Sequence, residues 1–140
     1  MAVRGMYLNI TTKDLNRAKA FFMALGFRIN PQFSDDTAAS IEFGPGFVAM
    51  LLTEPKMKQF TTKQVAETNT TMEYLMAMQL DTREEVESLF EKAMAAGGTE
   101  TRPAEDFGWM YLRSFYDLDG HAWEIFYIDE GASNPSFGNS

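Results

Sequence analysis

The same order of elements is written twice along this chain, and that duplication limits the fold more than any other feature. Residues 6–11 alternate. Met6, Leu8 and Ile10 point one way and Tyr7, Asn9 and Thr11 the other, the period of a strand with one dry face. Asp14 is placed to cap a helix, and Leu15, Ala18, Phe21, Phe22 and Leu25 follow at helical spacing until Gly26. Strand patterns occupy 27–31, 37–43 and 47–53, the last two joined by the turn signal Gly44-Pro45-Gly46. Then the series restarts. Residues 74–81 alternate, Thr82-Arg83-Glu84-Glu85 reads as a capping box, and Val86, Leu89, Phe90 and Ala93 form a helical stripe. Gly97-Gly98 ends that helix, and strands are predicted at 99–102, 109–116 and 122–128. The simplest account is a duplicated β-α-β-β-β unit of about 60 residues.

The expected fold class is therefore α+β: two βαβββ modules forming a curved mixed sheet around a cleft, with the helices outside. Module one spans 4–55, a polar linker 56–71, and module two 72–129, together one domain over 4–129. Within the linker Thr61-Thr62-Lys63-Gln64 predicts a short capped helix to about Glu67. Residues 103–106 read as a loop and 130–140 as a frayed polar tail. Asp117-Leu118-Asp119-Gly120 reads as a tight turn, its carboxylates bonding their own backbone and its glycine free to take φ > 0.

Composition narrows the function classes. With 12 basic and 20 acidic residues the formal charge is −8, which argues against nucleic acid and anionic membranes as partners. There is no cysteine, so disulfides, thiolate metal sites and a cysteine nucleophile are excluded. No signal pattern opens the chain and no apolar run approaches the ~20 residues of a membrane span, so a cytoplasmic protein is expected. Ten methionines suit an adaptable apolar interior or pocket wall.

The strand at 122–128 is apolar apart from Glu124, and an acid there is costly to bury unless something pairs with it. Glu124 is thus a candidate catalytic base or polar anchor for a ligand; the structural alternative is a carboxylate paired with Tyr7, Arg113 or a water. Arg113 can clamp an anionic group or pair with Asp117 or Glu124. Trp109, Tyr111 and Phe126 can stack on a flat ligand or simply fill the core. Tyr7, Asn9 and Gln79 put polar tips on strand faces, as a wet pocket or an exposed sheet would. Met76 and Met78 are expected to face a helix. The single histidine, His121, is expected at the surface of a turn, on the opposite side from Glu124.

Lys-Asp-Leu-Asn-Arg-Ala-Lys-Ala-Phe-Phe-Met-Ala-Leu-Gly-Phe at 13–27 and Asp-Leu-Asp-Gly-His-Ala-Trp-Glu at 117–124, set in two βαβββ units, resemble the vicinal oxygen chelate superfamily. That group includes glyoxalase I, extradiol dioxygenases, fosfomycin-resistance enzymes and bleomycin-binding proteins. Residues 30–39, 50–53 and 113–117 resemble its bacterial branch of glyoxalase-like, predicted lactoylglutathione lyases. The resemblance implies a homodimer and a small-molecule ligand in the cleft. Enzymes of the family hold a divalent metal with four strand residues. Matched strand by strand, those positions fall on Tyr7, Met50, Leu75 and Glu124, of which only Glu124 is a usual ligand. No metal or other cofactor is therefore expected unless the register is wrong. The expected function is binding of a small, mostly apolar molecule in the cleft by Tyr7, Asn9, Met50, Leu75, Gln79, Trp109, Tyr111, Arg113 and Phe126. The alternatives are a lyase- or dioxygenase-like enzyme, or a metal-free enzyme using Glu124 as base.

Overall fold

In the computed structural model, residues 1–131 are described, and the chain divides into two compact units, the first ending at Thr71 and the second beginning at Met72. Each unit is a four-stranded mixed sheet with one principal helix. Most of the predicted tail lies outside the described residues.

In the first unit β1 (Met6–Thr12) runs parallel to β4 (Phe47–Thr53), and β3 (Ala38–Gly44) and β2 (Arg28–Asn30) extend the sheet antiparallel, giving the order β1-β4-β3-β2. Helix α1 (Leu15–Ala24) packs on β2, β3 and β4. The alternation decides which residues it covers. Leu8 and Ile10 are in register with Ala49 and Leu51, which in turn face Ile41 and Ala39. Ala39, Ile41, Ala49 and Leu51 are completely buried. Phe22 of α1 meets Phe43 edge-on at 6.3 Å, and Phe43 meets Phe27 at 4.8 Å. Helix capping follows the sequence: Asp14 accepts from Arg17 N at 3.0 Å, and Gly26 takes φ +100° just past the last turn.

The second unit repeats this plan with order β5-β8-β7-β6. Strand β5 (Leu75–Leu80) is parallel to β8 (Ala122–Ile128), and β7 (Met110–Tyr116) and β6 (Thr99–Asp106) are antiparallel. Helix α3 (Arg83–Ala95) starts at Thr82, whose hydroxyl accepts from Glu85 N at 3.1 Å, and buries Val86, Leu89, Phe90 and Ala93 against this sheet. Met76 and Met78 are in register with Trp123 and Ile125, both buried, so the methionines lie on the helix side as their spacing predicts. Asp117 builds the expected turn. Its Oδ1 accepts from Asp119 N and His121 N, and its Oδ2 accepts from Trp123 Nε1 at 2.9 Å. Burial pushes this carboxyl up; the neighbouring His121 and those donors oppose the rise.

Four local expectations need correction. Residues 61–67 form no helix; Thr61 Oγ1 instead accepts from Lys63 N at 3.0 Å as a local turn. The short helix lies earlier, at α2 (Glu54–Met57), where Thr53 is the N-cap and Pro55 sits in the first turn. The segment 27–31 is strand only over β2, and Pro31–Phe33 turns as a 3-10 helix capped by Asn30. The loop expected at 103–106 is the second half of β6. An edge strand tolerates Pro103, and register shifts around Arg102 absorb the irregularity. His121 is in the turn but buried rather than at the surface.

Candidate ligand-binding faces

The side chains named from sequence fall on definite sheet faces. Tyr7, Asn9 and Met50 share the face of the first sheet opposite to α1, with Asn9 in register with Met50 and Tyr7 with Val48. Tyr7 is 67% exposed. In the second sheet Leu75, Gln79, Glu124 and Phe126 share the face opposite to α3; Ala77 is in register with Glu124 and Gln79 with Phe126. The two units match in detail. Tyr7 and Met50 stand diagonally, two residues out of register on a parallel pair, and Leu75 and Glu124 stand in the same relation.

Tyr111 and Arg113 do not join them. Both occupy the helix side of the second sheet, because they are in register with Tyr127 and Ile125. The Arg113 guanidinium lies 3.7 Å over the Phe90 ring and is paired with Glu87 of α3 at 2.9 Å and Glu100 of β6 at 2.8 Å, not with Asp117 or Glu124. Tyr111 donates its hydroxyl to Glu87, and Arg83 covers the Tyr111 ring at 3.9 Å. Trp109 immediately precedes β7, half-buried, with its ring 6.5 Å from that of Phe107.

Glu124 is also paired by a residue the sequence did not single out. Arg102 Nη2 donates to Glu124 Oε2 at 2.7 Å, and Arg102 Nε donates to Glu105 at 2.5 Å. The two carboxylates raise the affinity of the guanidinium for its proton. Arg102, Ser114, Glu124 and Ala77 form one row across all four strands. Ser114 is 1% exposed and its hydroxyl has no hydrogen-bond partner. Arg102 and Ser114 could not be found by periodicity: alternation places a residue on a face, but only the pairing of strands places it beside another.

The first unit also has two open cavities, of about 660 Å³ and 530 Å³, neither bordered by the residues predicted from sequence. The larger contains Asp14, Lys19, Ser34, Asp35 and Asp36. Asp35 is already engaged: its carboxylate accepts from Thr37 N, Thr37 Oγ1 and Ala38 N, which hold it below the usual carboxylate range.

Comparison with known proteins now defines the class. Residues 6–125 match the Glyoxalase/Bleomycin resistance protein/Dioxygenase superfamily, and the chain belongs to that family. A hypothetical protein from S. aureus, SA1046, shares 26% identity at a TM-score of 0.76, covering 91% of this chain and 96% of its own. A family enzyme from Burkholderia phytofirmans PsJN superposes at 0.71 with 20% identity, covering 87% and 96% of the two chains. The fosfomycin resistance protein FosX of Listeria monocytogenes superposes at 0.65 with 21% identity, covering 91% and 92%. No curated protein matches.

The four positions matched from the sequence to the family's metal ligands, Tyr7, Met50, Leu75 and Glu124, carry a phenol, a thioether, an alkyl group and one carboxylate. A catalytic zinc or nickel site generally takes at least three nitrogen, sulfur-anion or carboxylate ligands from the protein, and this set does not fit. Among the described residues no group of three or more His, Cys, Asp or Glu side chains is arranged to hold a metal ion. Nor is any helix there long and apolar enough to cross a membrane.

Proposed function

We propose that this protein binds a small, mostly apolar molecule on the sheet face that carries Glu124 and works without a resident metal ion. One observation carries the reading. The only usual ligand among the four family positions already has a counter-charge, the Arg102 guanidinium at 2.7 Å. Beside that pair Phe126 lies on the same face, with Leu75, 44% exposed, at the edge strand. Such a surface suits an apolar body with one polar attachment point.

The test has two arms. Elemental analysis of the purified protein should find no stoichiometric Zn, Ni, Fe or Mn, and adding these ions should leave the melting temperature unchanged. About one ion per chain, removable by chelator, would overturn the metal-free part. Titration of ¹⁵N-labelled protein with naphthalene should shift amides of β5 and β8; an unchanged spectrum would overturn the binding part.

A second reading has a narrower basis. Glu124 Oε1 accepts no hydrogen bond from the described residues, so the carboxylate keeps a lone pair for a proton on a bound molecule. On that reading Glu124→Gln abolishes any turnover found while the fold is kept.

A further inference from the structure

The turn between β7 and β8 buries a carboxyl and a histidine that ligand binding leaves unused. Asp117 is 7% exposed and His121 8%. Asp117 Oδ1 accepts from Asp119 N at 2.9 Å and from His121 N at 3.0 Å, which occupies both of its lone pairs. Oδ2 accepts from Trp123 Nε1 at 2.9 Å. The backbone closes the same turn: Asp117 N donates to His121 O at 3.0 Å and Gly120 N to Asp117 O at 3.2 Å. Trp123, 1% exposed, is the second residue of β8, the strand that carries Glu124. One buried carboxylate thus ties the end of β7 to the start of β8.

We propose that Asp117 is an acid-operated latch on the start of β8: ionised, it grips the Trp123 indole, and a proton on Oδ2 releases it. With both lone pairs of Oδ1 taken, an arriving proton goes to Oδ2. That oxygen becomes a hydroxyl, which accepts poorly, and the bond from Trp123 loses its charge-assisted strength. The charge facing the carboxylate is His121, which favours the ionised form, as do the three N–H donors; burial opposes them and raises the pH at which the proton arrives. A carboxyl raised on folding costs stability while ionised, and that cost is relieved as pH falls through the folded value. Protonating Asp117 therefore does not itself unfold the chain. The other titratable groups near the turn are engaged or exposed. Tyr116 beside it is 39% exposed. From β6, Thr99 is in register with Tyr116, and the next residue, Glu100, is held by Arg113 at 2.8 Å. From α3, Gly97 is the residue next to Leu118, and Lys92 is exposed more than a turn earlier. From β5, Leu75 is in register with Ala122, and Glu73 and Tyr74 before it are exposed.

The Trp123 indole reports the latch directly. In the ¹⁵N-labelled whole protein, with Trp109→Phe to tell the two indole signals apart, the pH is lowered from 7 until the chain unfolds. The Trp123 indole resonance should move with one midpoint above the ordinary carboxyl value of 3.8, and the amides of Asp119, His121 and Glu124 should follow it. Asp117→Asn cannot ionise and turns a donor or a neutral oxygen toward the indole. Its indole resonance should stay constant with pH, and at pH 7 its indole proton should exchange about tenfold faster than the parent's, the worth of one bond to a charged acceptor. His121→Gln removes the facing cation and should move the midpoint to higher pH. An indole resonance that stays put down to acid unfolding, a transition that survives in Asp117→Asn, or a midpoint unmoved or lowered in His121→Gln overturns the latch. If Asp117→Asn does not fold, the parent and His121→Gln titrations decide.

Discussion

Two glutamates of the second unit, Glu87 and Glu124, each meet an arginine, and the difference between them is their surroundings. Glu124 stands on the face opposite to α3 with a partner, Arg102, whose side chain is 42% exposed. Glu87 stands on α3, accepting from Arg113 through both oxygens and from the Tyr111 hydroxyl. Burial pushes the Glu87 carboxyl up, but the hydrogen bonds from Tyr111 and Arg113 outweigh it and hold the group below its usual value of 4.5. A carboxyl lowered on folding stabilises the fold above its unfolded value, and that contribution is lost as pH falls through the folded value. Urea unfolding between pH 7 and 3 should thus show a shallower acid decline for Glu87→Gln than for the parent protein. Its loss of stability at pH 7 should be about 1–2 kcal/mol. Parallel curves would remove Glu87 from the acid response.

At the scale of single elements the two principal helices end alike. In α1 Gly26 N donates to Met23 O and Phe27 N to Phe22 O; in α3 Gly97 N donates to Met94 O and Gly98 N to Ala93 O. Both glycines are left-handed, at φ +100° and +103°. Their surroundings differ. A Cβ at Gly26 meets nothing within 4 Å, whereas one at Gly97 lies 3.2 Å from Leu118 Cδ2. Gly26→Ala should cost about 1–2 kcal/mol from backbone strain alone. Gly97→Ala should cost more, because Leu118 must give way, and the denaturation midpoints of the two variants should rank accordingly. These ends were legible because only glycine meets the conformation cheaply. The short helix was not. The Thr61 box has the right letters but no apolar stripe, and a few residues of helix do not offset nucleation without packing. Glu54–Met57 follows directly from β4 and packs on β1 and β4.

Across the whole molecule each unit has its own core. Ala39, Ile41, Ala49 and Leu51 are fully buried in the first, and Val86, Phe115, Trp123 and Ile125 nearly or fully so in the second. Native-state hydrogen exchange should therefore show two separate sets of slowest amides, in β3 and β4 and in β7 and β8. The segment 61–66 carries no helix or strand, and beyond it Lys13 holds Glu67 at 2.8 Å through an exposed pair. It should exchange fastest; protection there equal to that of β4 would contradict this division.

The sequence by itself determined the two principal helices, most of the strands and their faces. Alternation separated Tyr7 and Asn9 from Leu8 and Ile10, and Glu124 from Trp123 and Ile125, because a period of two leaves a strand only two sides. Capping and turn chemistry marked the ends through Asp14, Gly26, Thr82, Gly97 and Asp117. Tertiary structure alone decided which strands lie together. It set β7 between β6 and β8, bringing Arg102 and Ser114 to Glu124, and laid α3 across the sheet to claim Tyr111 and Arg113. Register between strands depends on hydrogen bonds made across the fold, and no spacing along one chain segment records them.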